Sequence, residues 1–200
     1  AHGSHSSGIT ALKMTEPIQK IWPELVRLIL GRYDEKLLRE VVQRFLRPRH
    51  QWPVEELIDR CVEAFDNTVL LNRRLKELDE SRKTLLAALA QSGQCKWKLG
   101  QLIEISMCLG QDDGLPAVFD LLNQGFLLPD VVNLEQKDRL PKPCKSPYIK
   151  SFEQWIGFPG PEGLAIFLPP PISQRSIAFP LSLPQKYEPP EGAELLEPDP

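Results

Sequence analysis

The sequence predicts a mainly α-helical fold: a helical bundle with one long helix, whole or broken, followed by a Pro-rich, partly extended C-terminal segment. Three observations carry that expectation. Apolar residues recur every three or four positions through much of residues 14–128, the period of one helix face. Neither Pro nor Gly occurs between Pro53 and Gly93, whereas 15 of the 20 prolines lie at or beyond Pro129. A length of 200 residues suits one domain or one domain plus an appendage, and 42% hydrophobic with 26% charged residues is ordinary for a soluble globular protein. No apolar run is long enough to cross a bilayer, so no membrane contact is expected.

Residues 1–13 place His2 and His5 among Gly and Ser without apolar periodicity, and read as an appended leader ahead of Met14. The helical domain is then 14–128. Ile18, Ile21, Trp22, Leu25, Val26, Leu28 and Ile29 share helical spacing, and Pro23 suits a first turn, which places the first helix from Pro23 to Gly31. Asp34 caps a second helix over 35–47, with Leu37, Leu38, Val41, Val42, Phe45 and Leu46 on one stripe and Pro48 as its stop.

After Trp52-Pro53, the residues Val54, Ile58, Cys61, Phe65, Thr68, Leu71, Leu75, Leu78, Leu85 and Leu89 keep that spacing as far as Ser92. One unbroken helix of that length spans about 58 Å at 1.5 Å per residue. A compact domain of this size is only about 40 Å across. The segment therefore bends near Asp66-Asn67 or pairs with a partner helix, and pairing with a second copy is the favoured expectation.

A further helix is read at 96–109, a turn at Gln111–Gly114, and a short helix at 115–124 with Pro116 in its first turn. Phe126–Pro129 reads as a buried exit strand. Residues 129–150 read as a linker containing Pro and Lys, and 151–187 as an aromatic, Pro-rich extended arm. Within that arm, Leu164–Leu168 and Ser176–Phe179 are expected to form a loose hairpin. Phe152, Trp155 and Phe158 are the candidates for docking it. Residues 188–200, with Glu188, Glu191, Glu194, Glu197 and Asp199, read as an acidic flexible tail.

The search for chemistry is mostly negative. No phosphate loop, dinucleotide fingerprint, nucleophile elbow, H-E-x-x-H or EF-hand loop is present. Outside the leader the one histidine, His50, lies in a basic loop, which argues against a His-dependent triad. Cys61, Cys95, Cys108 and Cys144 make no C-x-x-C and read as reduced thiols, with a Cys95–Cys108 disulfide as the alternative. The run Glu55-Glu56-x-x-Asp59 with Glu77-x-x-Glu80 is similar to the metal-binding pattern of all-α nucleotide pyrophosphohydrolases, which implies Mg²⁺-dependent hydrolysis. Two positions carry the other acid and no obvious turn separates the halves, so a solvated polar face accounts for these residues more simply. No catalytic residue, metal or cofactor is assigned.

Basic residues give the second hypothesis. Net charge is −3, yet residues 16–109 carry 16 Lys and Arg against 14 acids, and residues 151–200 carry two against seven. Arg44, Arg47, Arg49 and His50 cluster beside Trp52, and Arg73, Arg74, Lys76, Arg82, Lys83, Lys96 and Lys98 recur beyond. On one face they would track a phosphate backbone, with Trp52 or Trp97 as a stacking surface. Glu40, Glu77, Asp79 and Glu80 alternate with them, so salt-bridged helix faces are the plainer account. The helix–turn–helix order of 96–124 invites comparison with DNA-reading modules, but its second helix offers Asp120, Asn123 and Gln124 and no base.

The function expected from these observations is a non-enzymatic interaction, scaffold or adaptor protein of the cytoplasm. It would self-associate as a coiled-coil homodimer through Leu71, Leu75, Leu78, Leu85 and Leu89, and engage protein partners through helix faces and the Pro-rich arm. The alternative is a nucleic-acid-binding helical protein, using the cluster at 44–50 (Arg44, Arg47, Arg49, with Trp52) and the basic residues at 73–98, Arg73 and Arg74 among them.

Overall fold

The computed structural model describes residues 18–131, 148–157 and 164–181. The leader, most of the linker with Cys144, Phe158, and the acidic tail lie outside the described residues. The described chain is mainly helical. Helix α1 (Ile18–Leu30) begins ahead of Pro23 rather than at it. Trp22, one residue before the proline, is buried and meets Phe65 and Phe167 edge-on at 6.2 and 6.5 Å. Packing thus holds the turn that the proline cannot hydrogen-bond. Helix α2 (Glu35–Phe45) is capped by Asp34, whose carboxylate accepts from the Lys36 N–H at 3.3 Å. It stops two residues short of the expected end, and Arg47 stands in the left-handed region at φ 51°.

The stretch read as one long helix is three: α3 (Val54–Ala64), α4 (Thr68–Lys76) and α5 (Glu80–Gln91). Each break carries an N-cap. Asn67 Oδ1 accepts from the Leu70 N–H at 3.1 Å, and Asp79 Oδ1 from the Arg82 N–H at 2.9 Å. The Asp66-Asn67 bend is one of the two expected outcomes, and the break at Leu78-Asp79 is a correction. Short polar side chains offer the backbone an alternative to the helix where no Pro or Gly stands. Once folded back, Leu71, Leu75, Leu78, Leu85 and Leu89 share one core with Val42, Phe45 and Leu121, none of the five more than 6% exposed. The seam expected to face a second copy is interior to a single chain, and the length argument for a coiled-coil dimer falls with it.

Strand β1 (Lys96–Lys98) takes the start of the helix expected at 96–109, with Trp97 buried between two exposed lysines. Helix α6 (Leu99–Cys108), helix α7 (Leu115–Asn123) and strand β2 (Leu128–Pro129) follow, then helix α8 (Phe152–Gly157), strand β3 (Ala165–Phe167) and helix α9 (Pro170–Ser176). Strand β3 lies between β1 and β2 and is antiparallel to both, with Ile166 opposite Trp97 and Phe167 opposite Leu128. The expected hairpin of 164–168 with 176–179 is therefore replaced: Ser176 closes α9 instead. Pro170 and Pro171 open that helix, where a missing N–H costs no bond.

The order of the described elements here is β1–α6–turn–α7–β2–α8–β3, with β3 central in the sheet. Gly114 makes the turn possible. A Cβ there would stand 2.5 Å from the Ile103 carbonyl oxygen, so only glycine allows the two helices to approach. Helix α9 packs on α5, α1 and α4, and α8 packs on α7. The described parts of the arm are thus folded into the core in cis as helices and a central strand, not laid along it as an extended segment. Phe152 is fully buried against Tyr33 (ring centroids 5.6 Å apart), and Trp155 is buried beside it on α8.

Candidate functional site

A group of charged side chains gathers where α2 and α4 end. The last turn of a helix exposes unpaired carbonyls and carries partial negative charge, which favours cations. Helix α2 supplies Arg44, and α4 supplies Arg73, Arg74 and Lys76. Arg74 is buried, and its Nε donates to the Phe45 carbonyl at 2.8 Å, closing the end of α2 from the flank of α4. Its Nη1 lies 3.3 Å from Glu77 Oε1, and Arg47 pairs with both oxygens of the same carboxylate. Burial lowers the Arg74 pKa, the positive charge of Arg47 lowers it further, and Glu77 opposes both.

A second knot lies alongside. Asp120 of α7 accepts from Arg82 Nε at 3.1 Å and from Gln124 Nε2 at 2.9 Å, while Arg82 Nη1 reaches Asp79 Oδ2 at 3.1 Å. Between the two knots opens a cleft of about 520 Å³ lined by Gln43, Arg44, Arg47, Asp120 and Gln124. Arg47 and Asp120 are neutralised by their partners. Arg44 is not: it is exposed and has no hydrogen-bond or ion-pair partner among the described residues, with Glu40 one turn ahead of it on α2. Arg49, Arg73 and Lys76 are likewise exposed and unpaired among the described residues. The cleft therefore offers a cationic end, a carboxylate already engaged, and two amides that can donate or accept.

The structure brings some expected site residues together and removes others. Arg44, Arg47, Arg73 and Arg74 converge, but Arg74 is a structural cap. Trp97 is buried, and Trp52 is half-buried with the Arg60 guanidinium 5.1 Å above its ring. Neither ring is open on both faces to stack a base. Helix α7, the second helix of the helix-turn-helix, buries Ala117, Val118, Leu121 and Leu122 and packs on α2, α5 and α8. Phe152 and Trp155 are core residues, and Phe158 lies outside the described residues.

The acids of the hydrolase-like pattern do not assemble: Asp59 pairs with Arg27, Glu56 with Arg60, Glu77 with Arg47 and Arg74, and Glu80 with Lys83. Among the described residues no three acids, histidines or cysteines are placed to hold a metal ion. Cys61, Cys95 and Cys108 are free, so the alternative Cys95–Cys108 disulfide is not formed. Burial pushes the Cys61 thiol up to about 12. What sequence reasoning missed is the meeting of Gln43 and Arg44 with Asp120 and Gln124. Each polar pair was visible on its own helix, but their encounter across more than seventy residues had no local signal.

Comparison with known proteins gives no match: no family model, no curated protein and no solved structure is similar to this chain. No helix among the described residues is long and apolar enough to cross a membrane.

Proposed function

We propose that this protein is a non-enzymatic interaction module that takes an acidic segment of a partner protein into the cleft between α2 and α7. The observation that carries the reading is Arg44, an exposed guanidinium lining a polar cleft with no partner of its own among the described residues. A guanidinium forks onto a carboxylate with two parallel hydrogen bonds. The Gln43 and Gln124 amides supply the adaptable polar contacts that a peptide backbone needs. Arg47 and Asp120 are held rigid by Glu77 and Arg82, which reduces the ordering cost of binding.

The test is fluorescence anisotropy with a labelled peptide of alternating Glu and Ser at low ionic strength. Binding is expected with the full chain, retained by Arg44→Lys in weakened form, lost in Arg44→Glu, and reduced by added salt. Binding that is indifferent to Arg44→Glu would contradict the reading. A second reading, nucleic-acid binding, is favoured by the grouping of Arg44, Arg49, Arg73 and Lys76 around two helix ends. It is weakened by the covered tryptophans and by a helix-turn-helix whose second helix carries no base. A mixed oligonucleotide pool in the same assay separates the two, since phosphate tracking would need Arg49 and Arg73 as much as Arg44.

A further inference from the structure

We propose that the cleft has an occupant within this chain: the acidic segment 188–200 binds it in cis, and a partner's acidic segment must displace it. The inference rests on the reading of the cleft just given and adds its regulation. Two observations carry it.

The first is charge complementarity. Glu188, Glu191, Glu194, Glu197 and Asp199 are separated by no basic residue, and Lys186 precedes them. Arg44 lines the cleft, Arg49 follows the end of α2, and Arg73 and Lys76 stand in the last turn of α4; none of the four has an ion-pair partner among the described residues. The segment and the cleft thus carry surplus charge of opposite sign within one chain.

The second is reach. Arg175 of α9 donates to Thr68 Oγ1 at 2.6 Å, which sets the last turn of α9 beside the first residue of α4. Helix α4 then runs its nine residues, about 13 Å at 1.5 Å per residue, toward Arg73, Lys76 and the Glu77 carboxylate that holds Arg47. The described chain continues to Leu181, and the seven residues from there to Glu188 span up to about 23 Å when extended. The 18 residues from Leu181 to Asp199 span up to about 60 Å when extended. That exceeds the breadth of about 40 Å of a compact domain this size, so the acids of the segment have the reach to meet the cleft. Tethering at that distance gives an effective concentration in the millimolar range, enough to compete with a weak charge-based contact.

The test changes the five acids together in the full chain, Glu188, Glu191, Glu194 and Glu197 to Gln and Asp199 to Asn, far from any core residue. The same alternating Glu-Ser peptide is titrated, and ¹⁵N spectra are recorded without peptide. The proposal expects about tenfold tighter peptide binding, together with shifts of the Gln43 and Gln124 side-chain amides in the peptide-free spectrum. Equal affinity with unchanged amides overturns it, and leaves the cleft reading standing if Arg44→Glu still abolishes binding. Tighter binding without amide shifts also overturns it, because the acids would then act only through their long-range field. Absence of peptide binding in both chains overturns the cleft reading and this inference together.

Discussion

Helices α4 and α5 carry two stripes that read alike in sequence and have opposite fates. Leu71, Leu75, Leu78, Leu85 and Leu89 form the apolar stripe, and it is consumed inside the chain that bears it. Arg73, Lys76 and Glu77 belong to the polar side, where Glu77 pairs with Arg47 and Arg74 while Arg73 and Lys76 are left unpaired among the described residues. Periodicity reports which face is buried, but not by whom. A leucine seam suggests a partner only if the helix carrying it is long, and here two caps shorten it. Any surface available for recognition is what remains after internal pairing is complete, and the cationic rim of the α2–α7 cleft is the one we propose.

The comparison can be broken most severely from the apolar side. Leu85→Ala and Leu71→Ala should each lower the unfolding free energy by about 2–5 kcal/mol, read by urea denaturation, with no change in mass by light scattering. A variant that stays fully stable but changes mass would return the seam to an interface.

Arg74→Met comes next. It strips the Phe45 carbonyl of its buried donor, and a loss of about 2 kcal/mol is expected. The cost should be the same in low and high salt, because the contact is buried. The caps that divide the long helix follow, Asn67→Ala and Asp79→Ala, at about 1 kcal/mol each and nearly additive.

Tyr33→Phe should move the other way. The Tyr33 hydroxyl is buried without a hydrogen-bond partner among the described residues, so its removal is expected to add about 1 kcal/mol. Burial raises both the Tyr33 and Cys61 pKa values, so the fold holds both groups in their neutral forms. Their contribution is complete below the ordinary thiol value of 9.0 and falls as pH rises toward about 12. The alkaline loss should be shallower in Tyr33→Phe. Smallest of all in stability is Arg44→Glu, expected within about 0.5 kcal/mol of the parent.

Much of the fold was legible where one residue decides locally. Asp34, Pro48, Gly110 and Gly125 mark helix ends within a residue or two, and the alternation of Lys96, Trp97 and Lys98 was present but hidden inside a longer helical period. The central position of β3 was not legible, because Ala165–Phe167 pairs with strands that lie 37 and 69 residues away in register. Nor was the role of Pro170 and Pro171, which separate two strands in a linear reading yet open a helix in the fold. The site was half visible: the basic cluster at 44–49 could be named, whereas Asp120 and Gln124 join it only through the packing of α7 on α2.

The account stands or falls most directly on where an acidic peptide touches. A ¹⁵N titration of the full chain with the alternating Glu-Ser peptide should move Gln43, Arg44, Arg47, Asp120 and Gln124 first, and leave Lys98 and Arg60 unmoved. Shifts confined to surfaces away from α2 and α7, or none at all at concentrations that give full anisotropy, would contradict it.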